Sequence, residues 1–170
     1  MFSGAIPQHM QAVLYEVVED WNVTDIYVGC SGAFTVERVL APMGRFRIHS
    51  NDVTLYTAML GWYFSGEDVM SRIALHPDRE DQWAWLRPYM TTPEDLIATV
   101  MLTSTIAEAL TPDGTFKRNA YYDRLVTGYR HQWQTLHAKT VAKLTGSEFK
   151  IASYHNGDVV DWLSNIPADA

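Results

Sequence analysis

Two stretches hold the residue types best suited to chemistry. Asp25-Ile26-Tyr27-Val28 runs an apolar strand into a turn of small residues, Gly29-Cys30-Ser31-Gly32-Ala33-Phe34, and Asn51-Asp52 ends the next apolar strand. Backbone without bulky side chains lets a nucleotide cofactor approach closely. The helix that follows offers unpaired N–H groups, and an acid after the second strand can hold ribose hydroxyls. The turn reads Gly29-x-Ser31-Gly32, short of the full Gly-x-Gly-x-x-Gly spacing, so a second reading stands beside the first. In it, Gly29 and Gly32 serve an ordinary strand-to-helix turn and Asp52 caps the helix that starts at Val53.

Other reactive side chains make no comparable pattern. The single cysteine, Cys30, can form neither an internal disulfide nor a zinc cluster, and its place in the turn suits a small neutral filler. His155 beside Asn156, and the scattered His9, His49, His76, His131 and His137, show no ligand spacing, so no metal site is expected and core, cap or surface roles are assigned to each. The net charge of −7 is unevenly spread. Between Thr115 and Thr145, Lys117, Arg118, Arg124, Arg130, Lys139 and Lys143 face only Asp123, so a basic block stands in an acidic protein. Such a block can contact phosphates, with Tyr121, Tyr122, Tyr129 and Trp133 either stacking on bases or, at helical spacing, packing in a core.

These residues need elements to hold them. The 170 residues, 47% of them apolar, suffice for one core with a modest insertion. No apolar run reaches membrane-spanning length and the N-terminus lacks a secretory layout, which makes the cytoplasm the expected compartment. Met10, Val13, Leu14, Val17, Val18 and Trp21 recur at helical spacing after Pro7, predicting a helix to about Asp20. Strands are expected at Thr24 to Val28 and Arg45 to Ser50, with helices from Phe34 to before Pro42 and from Asp52 to Phe64. Alternation of this kind favours a parallel sheet. From Gly66 to Gly146 the pattern is helical: Asp78 to Tyr89, Thr92-Pro93 to Leu110, and a long helix capped by Asn119 and ended by Gly146. A third strand is expected within Glu148 to Tyr154, then a short helix, Val159 to Asn165. The fold class is α/β: a partial Rossmann-like sheet of three parallel strands, with a core of residues 1–65 and 147–170 and a mostly helical insertion of residues 66–146.

With both halves in view, the chain resembles the DNA adenine methyltransferases in which a helical DNA-recognition insertion splits the cofactor half from the catalytic motif, and specifically their phage or anti-restriction types. Gly4-Ala5-Ile6-Pro7 looks like the family's N-terminal cofactor motif, Tyr27 to Phe34 is similar to its Phe-x-Gly-x-Gly turn, and Asn51-Asp52-Val53 to its Asn-Asp-x segment. Phe149 to Leu163 resembles the third cofactor strand and its following acid. The resemblance implies S-adenosylmethionine as cofactor, with Tyr27, Gly29, Ser31, Gly32, Phe34, Asn51, Asp52 and Asp158 around it. Asp52 would hold the ribose and Asp158 would lie near the adenine. It also implies DNA as a partner, contacted by Lys117, Arg118 and Asn119 of the Gly114 to Asn119 loop, and by Arg124 and Arg130.

Departures from the family pattern matter for function. Ser31 stands where a second glycine is usual, Ile26 where a proline is usual, and the lysine of the N-terminal motif is missing. The catalytic Asp-Pro-Pro-Tyr signature does not occur. In that chemistry the acid and prolines orient the amine of a flipped adenine and the aromatic stacks on it. This chain alone is therefore expected to be inactive, and Thr24 to Val28 to form an apolar sheet edge covered by a second chain, by self-association or by a rearranged tail. Two functions follow from the resemblance: the cofactor-binding and DNA-recognising part of an adenine methyltransferase, or a non-catalytic anti-restriction or regulatory protein that binds DNA or a protein partner. A nucleotide-binding module with another ligand is a third.

Overall fold

The computed structural model describes residues 7–75, 77–79, 83–107, 120–147 and 149–166, without the side chains of residues 8, 79, 105–107 and 120–126. The chain divides into two compact units, residues 1–69 with 149–170 and residues 70–148.

In the first unit, α1 (Gln8–Glu19), β1 (Asp25–Val28), α2 (Thr35–Leu40), β2 (Arg47–Asp52), α3 (Leu55–Ser65), β3 (Ser153–Asn156) and α6 (Val159–Ser164) follow one another, the last two after the helical segment. The sheet is all parallel in the order β1-β2-β3. Tyr27 lies beside His49 and His49 beside Ser153, so β2 and β3 end together at Asp52 and Asn156, and β1 ends two residues earlier, at Val28 opposite Ser50. The third strand starts later than Glu148: Ile151 donates to the Phe64 carbonyl of α3, and Ala152, donating to the Ile48 carbonyl of β2, leads into the strand at Ser153.

The helices end where their sequences allow. Thr54 caps α3 by accepting from the Thr57 amide, and Gly66 closes it in a left-handed conformation with φ of 79°. Apolar on nearly every side, α3 buries Ala58, Met59, Leu60, Trp62 and Phe64. Gly61 is required there: a Cβ on it would overlap the ring of Tyr154 on β3. Phe34, Phe64, Phe149 and Tyr154 stack edge to face or tilted around this point, with ring centroids 4.1–6.4 Å apart. By contrast α1 buries only Val18 and exposes Met10, Val13 and Val17, so the amphipathic stripe read from its sequence is largely uncovered within the described residues.

The second unit is helical. Its main elements are α4 (Pro93–Ala107) and α5 (Ala120–Thr145), preceded by 3-10 turns at Pro77–Arg79 and Ala84–Tyr89. Of the helix expected over Asp78 to Tyr89, residues 80–82 lie outside the described residues, Trp83 is helical, and Ala84–Tyr89 forms a 3-10 turn that contains Pro88, which has no N–H to give. Leu86, Leu102 and Trp133 form the core, packed by Trp83, Trp85, Tyr89, Met90, Tyr129 and Leu136. Trp133 is 1% exposed, so it packs as a core residue.

Candidate cofactor site

The turn after β1 is the most contorted backbone among the described residues. Cys30, Gly32 and Phe34 have φ of 56°, 54° and 58°. Glycine tolerates that region freely, but for a bulky residue such as Phe34 it is uncommon and strained. Three restraints hold it. The Phe34 ring is fully buried in the aromatic cluster, its amide donates to the Ser31 carbonyl at 2.9 Å, and the Ser31 amide donates to the Asn51 carbonyl at 2.9 Å. Ser31, in the place of a second glycine, fits because its hydroxyl turns back to donate to the Val28 carbonyl at 3.3 Å. Cys30 is exposed, so it does not fill space as expected.

Asn51 and Asp52 tie this turn to the rest of the sheet. Asp52 accepts from the Gly32 amide at 3.0 Å through Oδ2 and from the Thr54 amide at 2.9 Å through Oδ1. Gly32 is bound a second time, its carbonyl accepting from the Thr57 hydroxyl at 3.0 Å. Asn51 donates through Nδ2 to the carbonyls of His155 and Gly157, at 3.1 and 2.9 Å. The Tyr154 hydroxyl donates to the Asp52 carbonyl at 2.9 Å. Burial and the adjoining Asp52 carboxylate hold this phenol well above its ordinary range. The geometry thus gathers Ser31, Gly32, Phe34, Asn51 and Asp52 at the carboxyl ends of three parallel strands, where open α/β sheets bind their ligands.

The remaining expected residues lie around this centre in different ways. Gly29 follows β1 directly, and a Cβ there would stand 2.8 Å from Val159 Cγ2, so the close approach that needs glycine is made by α6. Tyr27 stacks on His49, centroids 4.8 Å apart and 16° from parallel, and its other neighbour is Trp162 at 5.7 Å. Asp158 is exposed and caps α6, its Oδ1 accepting from the Val160 and Asp161 amides at 2.7 and 3.3 Å.

Two buried side chains at this end of the sheet each keep an oxygen without a partner; of the two, only Glu37 was not singled out from the sequence. Asn51 Oδ1 has no hydrogen-bond partner although Asn51 is 1% exposed. Glu37, on α2, is fully buried; its Oε1 accepts from the Ser50 hydroxyl at 2.8 Å, and its Oε2 has no partner. Burial pushes the Glu37 carboxyl up, against the opposing hydroxyls of Ser31 and Ser50. A glutamate within Thr35-Val36-Glu37-Arg38 carries no local sign of this, because burial depends on strands that pass over it.

Of the expected DNA contacts, Lys117, Arg118 and Asn119 lie outside the described residues, as does the Arg124 side chain, and so does the Gly4-Ala5-Ile6 motif. Arg130 is described: exposed on α5, its guanidinium lies 4.9 Å above the Trp85 ring. Among the described residues no cluster of His, Cys, Asp or Glu could hold a metal ion, and no helix is long and apolar enough to cross a membrane.

Comparison with curated proteins and with solved structures returned no match. The family model described as Phage DNA Adenine Methylase-like domain 1 matches residues 2–170. A parallel-stranded α/β core whose strand ends gather the Gly29 to Phe34 turn and Asn51-Asp52, matched over nearly its full length by that model, belongs to the phage DNA adenine methylase-like family.

Proposed function

We infer that this DNA adenine methylase-like chain binds S-adenosylmethionine at the carboxyl ends of β1, β2 and β3, and presents the basic part of residues 115–145 to DNA. The observation that carries the cofactor reading is the buried, unpartnered Asn51 Oδ1 beside a strained small-residue turn. A buried acceptor without a donor costs about 1–3 kcal/mol, and a ligand donor at that place recovers it. Asp52 would accept from the ribose hydroxyls, each carboxylate oxygen keeping a lone pair after the bonds to Gly32 and Thr54. The Gly32 and Phe34 turn would give the close backbone approach, and Tyr27 and Asp158 would border the site. The cofactor supplies an electrophilic methyl group on sulfonium sulfur; these residues bind and orient it.

The Asp-Pro-Pro-Tyr signature does not occur in this sequence, and on this reading the chain is the cofactor-binding and DNA-holding part of the activity. A second polypeptide or a second copy at residues 24–28 is part of the same reading. In support, β1 pairs with β2 alone among the described residues, and Met10, Val13, Val17, Trp21 and Val23 stand exposed. The non-catalytic alternative, an anti-restriction or regulatory protein, is favoured by Gly29, whose close approach serves Val159.

The test is isothermal titration of S-adenosylmethionine into the 170-residue chain, with S-adenosylhomocysteine and ATP as comparisons, and with and without duplex DNA at low salt. Saturable binding of the two sulfur compounds is expected, weakened in Asp52→Ala by roughly 1.5–3 kcal/mol, as for hydrogen bonds to a charged group. A thermal melt separates this loss from the weakening of the turn that Asp52 also holds. Equal binding of ATP, or none of any ligand, would overturn the reading and leave the non-catalytic one.

A further inference from the structure

The two faces of the sheet are built differently. Ser50 and Tyr154 point to the face where Glu37 of α2 and Gly61 of α3 meet them. The opposite face carries Asp25, Tyr27, His49, Ser153 and His155, and Trp162 of α6 lies near Tyr27 and His155. Across it runs a three-residue hydrogen-bond chain, one residue from each strand. Asp25 Oδ1 meets His49 Nε2 at 2.9 Å, and His49 Nδ1 meets Ser153 Oγ at 2.8 Å.

Chemistry fixes the direction of this chain. The Arg47 guanidinium, 2.6 Å from Asp25 Oδ2, and then the His49 imidazole hold the Asp25 carboxyl below its ordinary range, so it is ionised and can only accept. His49 Nε2 therefore carries its proton toward Asp25. In the neutral ring Nδ1 is then left as an acceptor, and the Ser153 hydroxyl donates to it. Tyr27 stacked on the ring keeps its plane in place. The order of carboxylate, imidazole and hydroxyl is that of a serine nucleophile with its general base and orienting acid, which is recognised by geometry and roles and not by position in a chain. Ser153 is exposed, and the Asp25 and His49 side chains are only about a fifth exposed, 19% and 21%, so the nucleophile is reachable while its supports are sheltered.

We propose that Ser153, His49 and Asp25 form a second reactive site, separate from the strand ends, whose serine is acylated by small activated esters. Ser153 Oγ adds to the ester carbonyl carbon while its proton passes to His49 Nδ1, and Asp25 stabilises the imidazolium through Nε2–H. The bond from carbonyl carbon to the leaving oxygen breaks, and the proton on Nδ1 leaves with the alcohol. Water then adds to the acyl-serine, giving one proton by way of His49 to Ser153 Oγ and releasing the acid.

The experiment treats the 170-residue chain with a fluorophosphonate, which traps nucleophilic serines with loss of fluoride, and reads the adduct by peptide mass spectrometry. A Ser153 adduct is expected, while the exposed Ser164, whose hydroxyl donates to the Val160 carbonyl, stays unmodified. His49→Ala and Asp25→Asn should each slow Ser153 labelling by about 100-fold or more, the usual scale of general-base assistance. Circular dichroism identifies which variants are folded, and either one suffices. Absence of the adduct from the wild-type chain overturns the proposal, as does an unchanged labelling rate in a folded variant, since a purely structural chain would leave that rate alone.

Discussion

The sheet unit and the helical unit both carry aromatic clusters, but the sheet unit adds directed polar bonds between distant residues. In the first, residues about a hundred positions apart are joined by directed polar bonds: Asn51 to the His155 and Gly157 carbonyls, Tyr154 to the Asp52 carbonyl, His49 to Ser153. In the second, indole and phenol rings around Trp133 pack edge to face, Trp85 at 5.0 Å and Tyr89 at 6.0 Å. One long-range polar link there joins His137 Nε2 to the Asp95 carbonyl at 3.1 Å. The indole N–H groups of Trp85 and Trp133 are buried without acceptors. Directed bonds specify where atoms sit, and the sheet unit has them around its candidate site. Ring packing is less directional and suits a body that must be compact but tolerates adjustment.

That contrast can be broken most severely at Trp133. Trp133→Ala is expected to cost about 3–5 kcal/mol, as for other buried large aromatics. Hydrogen exchange should show lost protection in α4 and α5 with β2 retained; protection lost equally in β2 would mean that the two units unfold as one. Next in size is Gly61→Ala, which drives a methyl group into the Tyr154 ring. Overpacking of this kind costs about 1–3 kcal/mol, and here it should reduce protection of β3 and α3, measured by the same exchange together with urea denaturation. Unchanged stability would mean that Tyr154 shifts freely and that its bond to Asp52 is dispensable.

The smallest effect concerns pH. Because burial raises the Glu37 carboxyl, the folded state holds its proton more tightly than the unfolded chain. The stability contributed by Glu37 is fully present below the ordinary carboxylate range and is lost as pH rises through the raised folded value. Glu37→Gln, which keeps an oxygen for Ser50, should remove that part of the decline when urea midpoints are compared from pH 4 upward in steps of about one unit. An identical slope in both proteins would show that Glu37 binds its proton no more tightly in the fold than in the unfolded chain.

Much of the scaffold could be read locally. Pro7 before α1, Pro93 with Glu94 and Asp95 at the start of α4, and Gly66 after α3 are punctuation whose effect acts within one turn of chain. The parallel sheet followed from alternation of strand and helix. The reading was weaker where order depends on contacts across the fold. Ala84 to Tyr89 has the apolar residues of a helix but forms a 3-10 turn, and the third strand begins at Ser153 because that is where pairing with His49 starts.

The candidate site divides the same way. Small residues after a strand and an acid after the next are short-range patterns, so Gly29, Ser31, Gly32 and Asp52 were legible as a cofactor grammar or as turn and cap. The structure decided that Asp52 binds the turn and the start of α3 together, that Gly29 makes room for Val159, and that Asn51 keeps a buried oxygen unpaired. Asp25, His49 and Ser153 have no spacing that links them, since register across three strands alone places them side by side. By itself the sequence determined which residues turn, cap and alternate, because those preferences reside in a few neighbouring dihedrals. Only the tertiary structure decided which polar groups meet, because a hydrogen bond requires two atoms within about 3 Å, and that proximity is a property of the packed sheet.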